Sequence, residues 1–218
     1  MYNGINNINI IEKMKKYFKR VVLDSETLKD ILTRVPELKK YIKEIDSISI
    51  RINTDMYSCL VHTIISQQLA NAAVDTIWNK LVSTFKKVTA KVMSEADYEV
   101  LCSIGLTSTK ASLIKKLAQD IVDKKLKIKK FKKMSDQQIA EILTQYKGIG
   151  NWTVENFLIF SLYRPNIFPY SDYGIARAMK LVFNTDKISE KNIQYIYDQC
   201  NGVLTTLTIC LWFIANNN

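Results

Sequence analysis

Apolar side chains recur every three or four residues along most of the chain, the interval that lines them along one face of a helix. Residues 9–21, INIIEKMKKYFKR, set apolar positions between lysines and predict a first helix. Leu28 to Leu32 and Pro36 to Ile45 read as two short helices, the second with proline in its first turn, where a missing N–H costs nothing. Residues 47–53, SISIRIN, alternate instead. They read as a strand or as an extended linker, and no partner strand is visible. From Asp55 the helical spacing sharpens: residues 55–66 and 70–85 predict two amphipathic helices around the polar turn Ser66-Gln67-Gln68. Ser94 is placed to cap a short helix to Cys102, which Gly105 ends. Further helices are expected over Thr107–Val122, Ser135–Tyr146, about Asn151–Leu162, and about 173–183, 189–199 and 203–215. No repeat of solenoid length occurs. The expected fold class is all-α.

Composition agrees with this. The chain has 218 residues, 47 % hydrophobic and 24 % charged, with six Gly and three Pro. So few turn formers exclude an all-β sandwich. The net charge of +10 points to a polyanionic partner, nucleic acid or an anionic membrane surface, although a Lys-rich composition alone would raise it too. Ten lysines lie between Lys110 and Lys133, against Asp120 and Asp123. Most of them read as a solvated face. Cys59, Cys102, Cys200 and Cys210 form no CxxC pair and no cluster, which argues against zinc and iron–sulfur sites and for reduced, buried thiols. Neither a secretory leader nor a stretch of about 20 apolar residues is present, so the expectation is a soluble, intracellular protein with no membrane partner.

Candidate chemistry concentrates in two places. The turn Gly148-Ile149-Gly150 joins two helices. Its glycines allow a tight reversal and leave backbone N–H groups bare, which suits a phosphate, while an ordinary αα-hairpin would use the same residues. Asp172 precedes the helix over 173–183, where it could act as a plain N-cap or as a functional carboxylate. His62, the single histidine, falls mid-helix and away from Asp172, and it reads as a packed or surface side chain rather than a general base.

Four blocks then carry a family likeness. Residues 146–157, YKGIGNWTVENF, followed by 168–176, FPYSDYGIA, resemble the hairpin and aspartate loop of the helix-hairpin-helix (HhH-GPD) DNA glycosylase superfamily. Residues 64–70, IISQQLA, and 105–118, GLTSTKASLIKKLA, resemble its wedge turn and a following helix. The likeness spans residues 55 to about 214 and is nearest to the alkylpurine branch of 3-methyladenine DNA glycosylase II. It implies a two-lobed, all-α fold with the active site in the cleft between the lobes. The N-terminal β domain of longer relatives should be missing. The expected organisation is an N-terminal helical segment, 1–54, packing on the C-terminal lobe; a lobe over 55–165 with the wedge turn and hairpin; and C-terminal helices over 166–218.

The resemblance also assigns roles. Asp172 becomes the catalytic carboxylate, which stabilises a positively charged sugar and orients the attacking water. Trp152, Tyr173 and Trp212 would line a pocket for an electron-poor base, and core packing is the alternative for each. Relatives that also nick the strand carry a lysine where this chain has Trp152, which implies hydrolysis without lyase activity. Asn156 departs from a pocket tyrosine of some relatives. Gln67, Gln68, Lys110, Lys147, Gly148, Ile149, Gly150 and Thr153 are the expected DNA contacts, with Gln68 as the inserting wedge. An alkali ion on the carbonyls of Gly148 and Gly150 would aid phosphate binding; no metal or cofactor is expected in the chemistry. The implied protein is a monomer acting on double-stranded DNA with damaged bases, in a bacterial cytoplasm or a eukaryotic nucleus. A glycosylase for another lesion, a bifunctional lyase, and a non-enzymatic binder of damaged DNA are the rival readings.

Overall fold

The computed structural model describes residues 18–218, so most of the helix expected over 9–21 lies outside the described residues. Its last part, Phe18–Leu23, is a strand. That strand pairs with Ile48–Asn53, the partner that the alternation of SISIRIN lacked in the sequence. Here the lysine–apolar spacing misled: Val21 and Val22, stiff at χ1, suit a pleated ribbon better than a helix turn. The rest of the described chain is helical, in two compact units: Asn53–Leu162, and Arg20–Ile52 together with Tyr163–Asn218.

The first unit is built around Met56–Ser66, a helix with every residue buried. Packing on all sides explains its near-continuous apolar sequence. It lies against Asn71–Phe85, Ser108–Val122 and Asn151–Phe157. Asp55 caps it by accepting from the Ser58 N–H at 3.0 Å, and the Tyr57 hydroxyl donates to the Ile114 carbonyl at 3.0 Å. His62 packs edge-on against Trp78, with ring centroids 4.9 Å apart. Burial pushes its pKa down to about 3, so the ring is neutral and hydrophobically packed.

Between residues 89 and 105 the structure departs from the single helix expected from Ser94. Two short helices form, Ala90–Glu95 and Tyr98–Ser103, capped by Thr89 and Asp97. The Ser94 hydroxyl bonds back to the Lys91 carbonyl instead of capping anything. Gly105, at φ +108°, ends the second. In the lysine-rich stretch, Ile128–Lys133 is a 3-10 turn that buries Ile128 and Phe131 and leaves its lysines outside. Asp136–Leu143 follows, with a capping box from Ser135 and Gln138. The helix after the glycine hairpin, Asn151–Phe157, loosens into a π-turn over Leu158–Leu162.

The second unit packs the N-terminal helix Ser25–Arg34, capped by Asp24, and the turns Pro36–Leu38 and Lys39–Ile42 onto the C-terminal helices. Leu28, Ile31, Leu38 and Ile42 share one core with Ile175, Met179, Leu207 and Ile214. Replacing any of these by alanine would cost about 2–5 kcal/mol through lost transfer energy and the cavity left. Arg34 donates to the Gln199 carbonyl and Tyr41 to the Leu181 carbonyl, which fixes the register of the docking. Tyr173–Val182 and Leu204–Asn217 pack side by side, and this pairing positions Asp172.

Candidate active site and DNA-binding elements

In the first unit, the Met56–Ser66 helix ends in the Ser66-Gln67-Gln68 turn. Gln68 is exposed and holds φ +57°, a conformation that L side chains adopt at a cost. Leu69 beside it is 39 % exposed, so the tip of the turn presents an amide and an apolar side chain to solvent. Gln67 behaves differently. Its amide nitrogen donates to the Gly148 carbonyl and to the Thr153 hydroxyl, both at 2.8 Å. Lys110, expected at a phosphate, reaches inward: its ammonium donates to the carbonyls of Ile65 at 2.9 Å and Gln67 at 2.7 Å. Partial burial there lowers its pKa below the usual lysine value.

The hairpin explains its own glycines unequally. Gly148 sits at φ +101°, and a Cβ there would press on Leu113 at 3.3 Å. This glycine is required by backbone shape. Gly150 has φ −106° and ψ 180°, which any residue adopts, and a Cβ would meet nothing within 4 Å. Neither strain nor crowding within the chain calls for a glycine there. Ile149 is 5 % exposed; its side chain enters the core and its N–H donates to the Tyr146 carbonyl at 2.9 Å. Among the described residues, the Gly148 and Gly150 N–H groups meet no backbone acceptor. Lys147 is exposed, whereas Thr153 is buried and accepts from Gln67. The carbonyls of Gly148 and Gly150 both already accept N–H donors, Gly148 from Gln67 and Gly150 from Thr153 and Val154. No group of three or more metal-ligating side chains occurs among the described residues.

In the second unit, Asp172 is the N-cap of Tyr173–Val182 and is 9 % exposed. Its Oδ1 accepts from the Ile175 N–H at 3.1 Å and from the Trp212 indole N–H at 3.0 Å. Two donors on one oxygen fix the plane of the carboxylate. The N-cap bond and the indole bond together orient this carboxylate. Gly174 makes the approach possible, since a Cβ there would lie 3.1 Å from Asp172 Oδ1 and 3.3 Å from Trp212 Cδ1. Sequence reasoning passed over this glycine; the Asp-Tyr-Gly triplet was the available signal. Trp212, assigned to a base pocket, is half-buried with its N–H turned to the carboxylate. Tyr173 is 83 % exposed. Trp152 is half-buried on the Asn151–Phe157 helix, and its carbonyl accepts from Asn156 at 2.8 Å.

DNA-3-methyladenine glycosylase 1 of Schizosaccharomyces pombe is 28 % identical over 162 residues, covering 72 % of this chain and 70 % of the relative. The crystal structure of a DNA-3-methyladenine glycosidase from Bacillus halodurans superposes with a TM-score of 0.74 at 23 % identity, over 91 % of this chain and 93 % of the other; this is a likeness of fold. A Schizosaccharomyces pombe 3-methyladenine DNA glycosylase, Mag1, solved in complex with abasic DNA, superposes with a TM-score of 0.71 at 25 % identity, over 82 % and 89 %. A family model for the HhH-GPD superfamily base excision DNA repair proteins matches residues 61–200, from the Met56–Ser66 helix through the hairpin and Asp172. The chain belongs to the HhH-GPD superfamily of base excision DNA repair proteins.

Proposed function

We propose that this protein is a monofunctional DNA glycosylase that hydrolyses the N-glycosidic bond of alkylated purines in double-stranded DNA and leaves an abasic site. The observation that carries the reading is the Asp172 carboxylate, nearly buried and clamped through Oδ1 by the Ile175 and Trp212 N–H groups, in a family whose reaction builds positive charge on a sugar. The named relatives act on 3-methyladenine, which supports alkylated purines as the substrate class.

Such a substrate needs little else from the protein. A purine methylated at N3 or N7 is cationic. When its bond to C1′ breaks, the electron pair stays on the base, which leaves neutral and needs no general acid. Positive charge then resides on the sugar. A fixed carboxylate stabilises it and takes a proton from the water that adds to C1′. A half-buried indole such as Trp152 suits the cationic base by stacking and cation–π attraction, roughly 0.5–2 kcal/mol. His62 is no candidate acid, because burial keeps its ring neutral. The hairpin grips one strand through the bare N–H groups of Gly148 and Gly150, and Gln68 at the exposed tip fills the space that the extruded base vacates. Trp152 occupies the position of the amine in strand-nicking relatives, so no Schiff base forms.

The test is product analysis on alkylated duplex DNA. Free 3-methyladenine or 7-methylguanine and an intact strand bearing an abasic site are expected. Borohydride should trap no enzyme–DNA adduct. Release of only uracil or an oxidised purine would move the substrate class, and a trapped adduct would overturn the monofunctional reading.

A further inference from the structure

The turn that carries Gln68 is tied at both sides to the rest of its unit. The Gln67 amide nitrogen spends both hydrogens, one on the Gly148 carbonyl and one on the Thr153 hydroxyl. A carbonyl can only accept, so this bond fixes which end of the amide faces the hairpin. Gly148 opens the hairpin turn and Thr153 lies in the first turn of the helix leaving it, so one side chain bridges the turn and that helix. Below, Lys110 closes the C-terminal end of the Met56–Ser66 helix on the Ile65 and Gln67 carbonyls. The Ser66 hydroxyl bonds back to the His62 carbonyl at 2.8 Å. The chain leaves this clamp directly into the left-handed conformation of Gln68. Both amide hydrogens of Gln67 are committed to the hairpin side, and two of the three ammonium hydrogens of Lys110 to the turn.

We infer that Gln67 and Lys110 are positioning residues that couple the strand-gripping hairpin to the inserting turn, so that a DNA backbone seated on the Gly148–Gly150 turn carries Gln68 into the base stack as one rigid unit. This rests on the proposed reading of the hairpin as the grip and Gln68 as the wedge. Held together, the two elements bind in one geometry; untied, the turn must find the stack by its own excursions, and that search is an entropic cost at the extrusion step.

Extrusion can be followed by fluorescence of 2-aminopurine beside the lesion, and chemistry by single-turnover release of 7-methylguanine. Two substrates separate the steps: the lesion paired with cytosine, and the lesion opposite an abasic site, where no partner base holds it. Gln67→Leu, close in volume but without donors, should slow extrusion and paired-lesion release about tenfold while leaving unpaired-lesion release within about twofold. Lys110→Met should act in the same direction. Gln67→Glu should fall furthest behind the unsubstituted protein at alkaline pH and recover toward it at acid pH, where a protonated carboxyl again donates to the Gly148 carbonyl. A side chain that only fills space would not move that ratio. Thermal melting identifies a variant that has simply unfolded. Normal extrusion by both folded variants, or equal loss on the two substrates, overturns the coupling. Absence of an extrusion signal in the unsubstituted protein would instead remove the wedge reading and the coupling with it.

Discussion

The two polar centres of this chain follow opposite plans. Around the hairpin, polar side chains turn inward: Gln67 donates to the Gly148 carbonyl and the Thr153 hydroxyl, and Lys110 to the Ile65 and Gln67 carbonyls. What faces a partner is main chain, the exposed Lys147 and one exposed turn, well matched to a repeating phosphate backbone that carries no sequence information. Around Asp172, backbone and indole donors aim one carboxylate, the side chain to which the proposed chemistry is assigned. On the proposed reading, a sequence-independent grip is made largely of backbone, and a specific charge is made of a side chain. Substitutions should therefore act on binding, base extrusion and stability in the first region and on the bond-breaking step in the second.

The largest expected effect breaks the regions apart by acid. His62, the single histidine, lies on the helix that leads to the Ser66-Gln67-Gln68 turn. Desolvation takes its pKa from 6.5 to about 3. The unfolded chain binds this proton below its ordinary pKa, whereas the folded chain does not until far lower pH. The stabilisation present above about pH 6.5 is therefore lost as pH falls toward about 3, and the total is several kcal/mol. Denaturant titrations across that window should show a shallower acid limb for His62→Phe than for the unsubstituted protein. Parallel limbs would contradict the buried neutral ring.

Next comes Gly148→Ala, which forces a Cβ into positive φ and against Leu113. A loss of about 1–2 kcal/mol in unfolding free energy is expected. Trp212→Phe keeps an aromatic face but removes the N–H from Asp172. Single-turnover base release should fall roughly tenfold with DNA affinity unchanged. A rise in KM alone would make the indole a base contact rather than a clamp. The smallest effect sharpens the contrast within the hairpin: Gly150→Ala should leave melting unchanged, since nothing lies within 4 Å of the new methyl. It should weaken duplex binding about threefold by obstructing close approach of a phosphate. Unchanged affinity would detach Gly150 from the DNA.

The sequence was most readable where apolar spacing was long and caps were unambiguous. Asp55, Thr107, Ser135 and Ser189 all cap helices close to their expected starts. It misled where elements were short. Phe18–Leu23 carries helix-like spacing, yet its strand exists because Ile48–Asn53, about 30 residues away, offers an edge. Long-range pairing of that kind leaves no local trace. The same holds for the site. Asp172 and the glycine turn are local motifs and could be named. The inward bonds of Gln67 and Lys110, both expected at DNA, depend on partners 43 to 86 residues distant and left no local signal. The Trp212 indole reaches Asp172 across 40 residues in the same way.

Everything chemical in this account is assigned to one carboxylate, and Asp172→Asn tests it with little side effect, because asparagine can still accept from Ile175 and Trp212 and remains a good N-cap. Single-turnover release of 7-methylguanine, measured beside duplex affinity and melting temperature, should fall about a hundredfold or more while the other two stay unchanged. Release at the rate of the unsubstituted protein from a folded, DNA-bound Asp172→Asn variant would contradict the assignment.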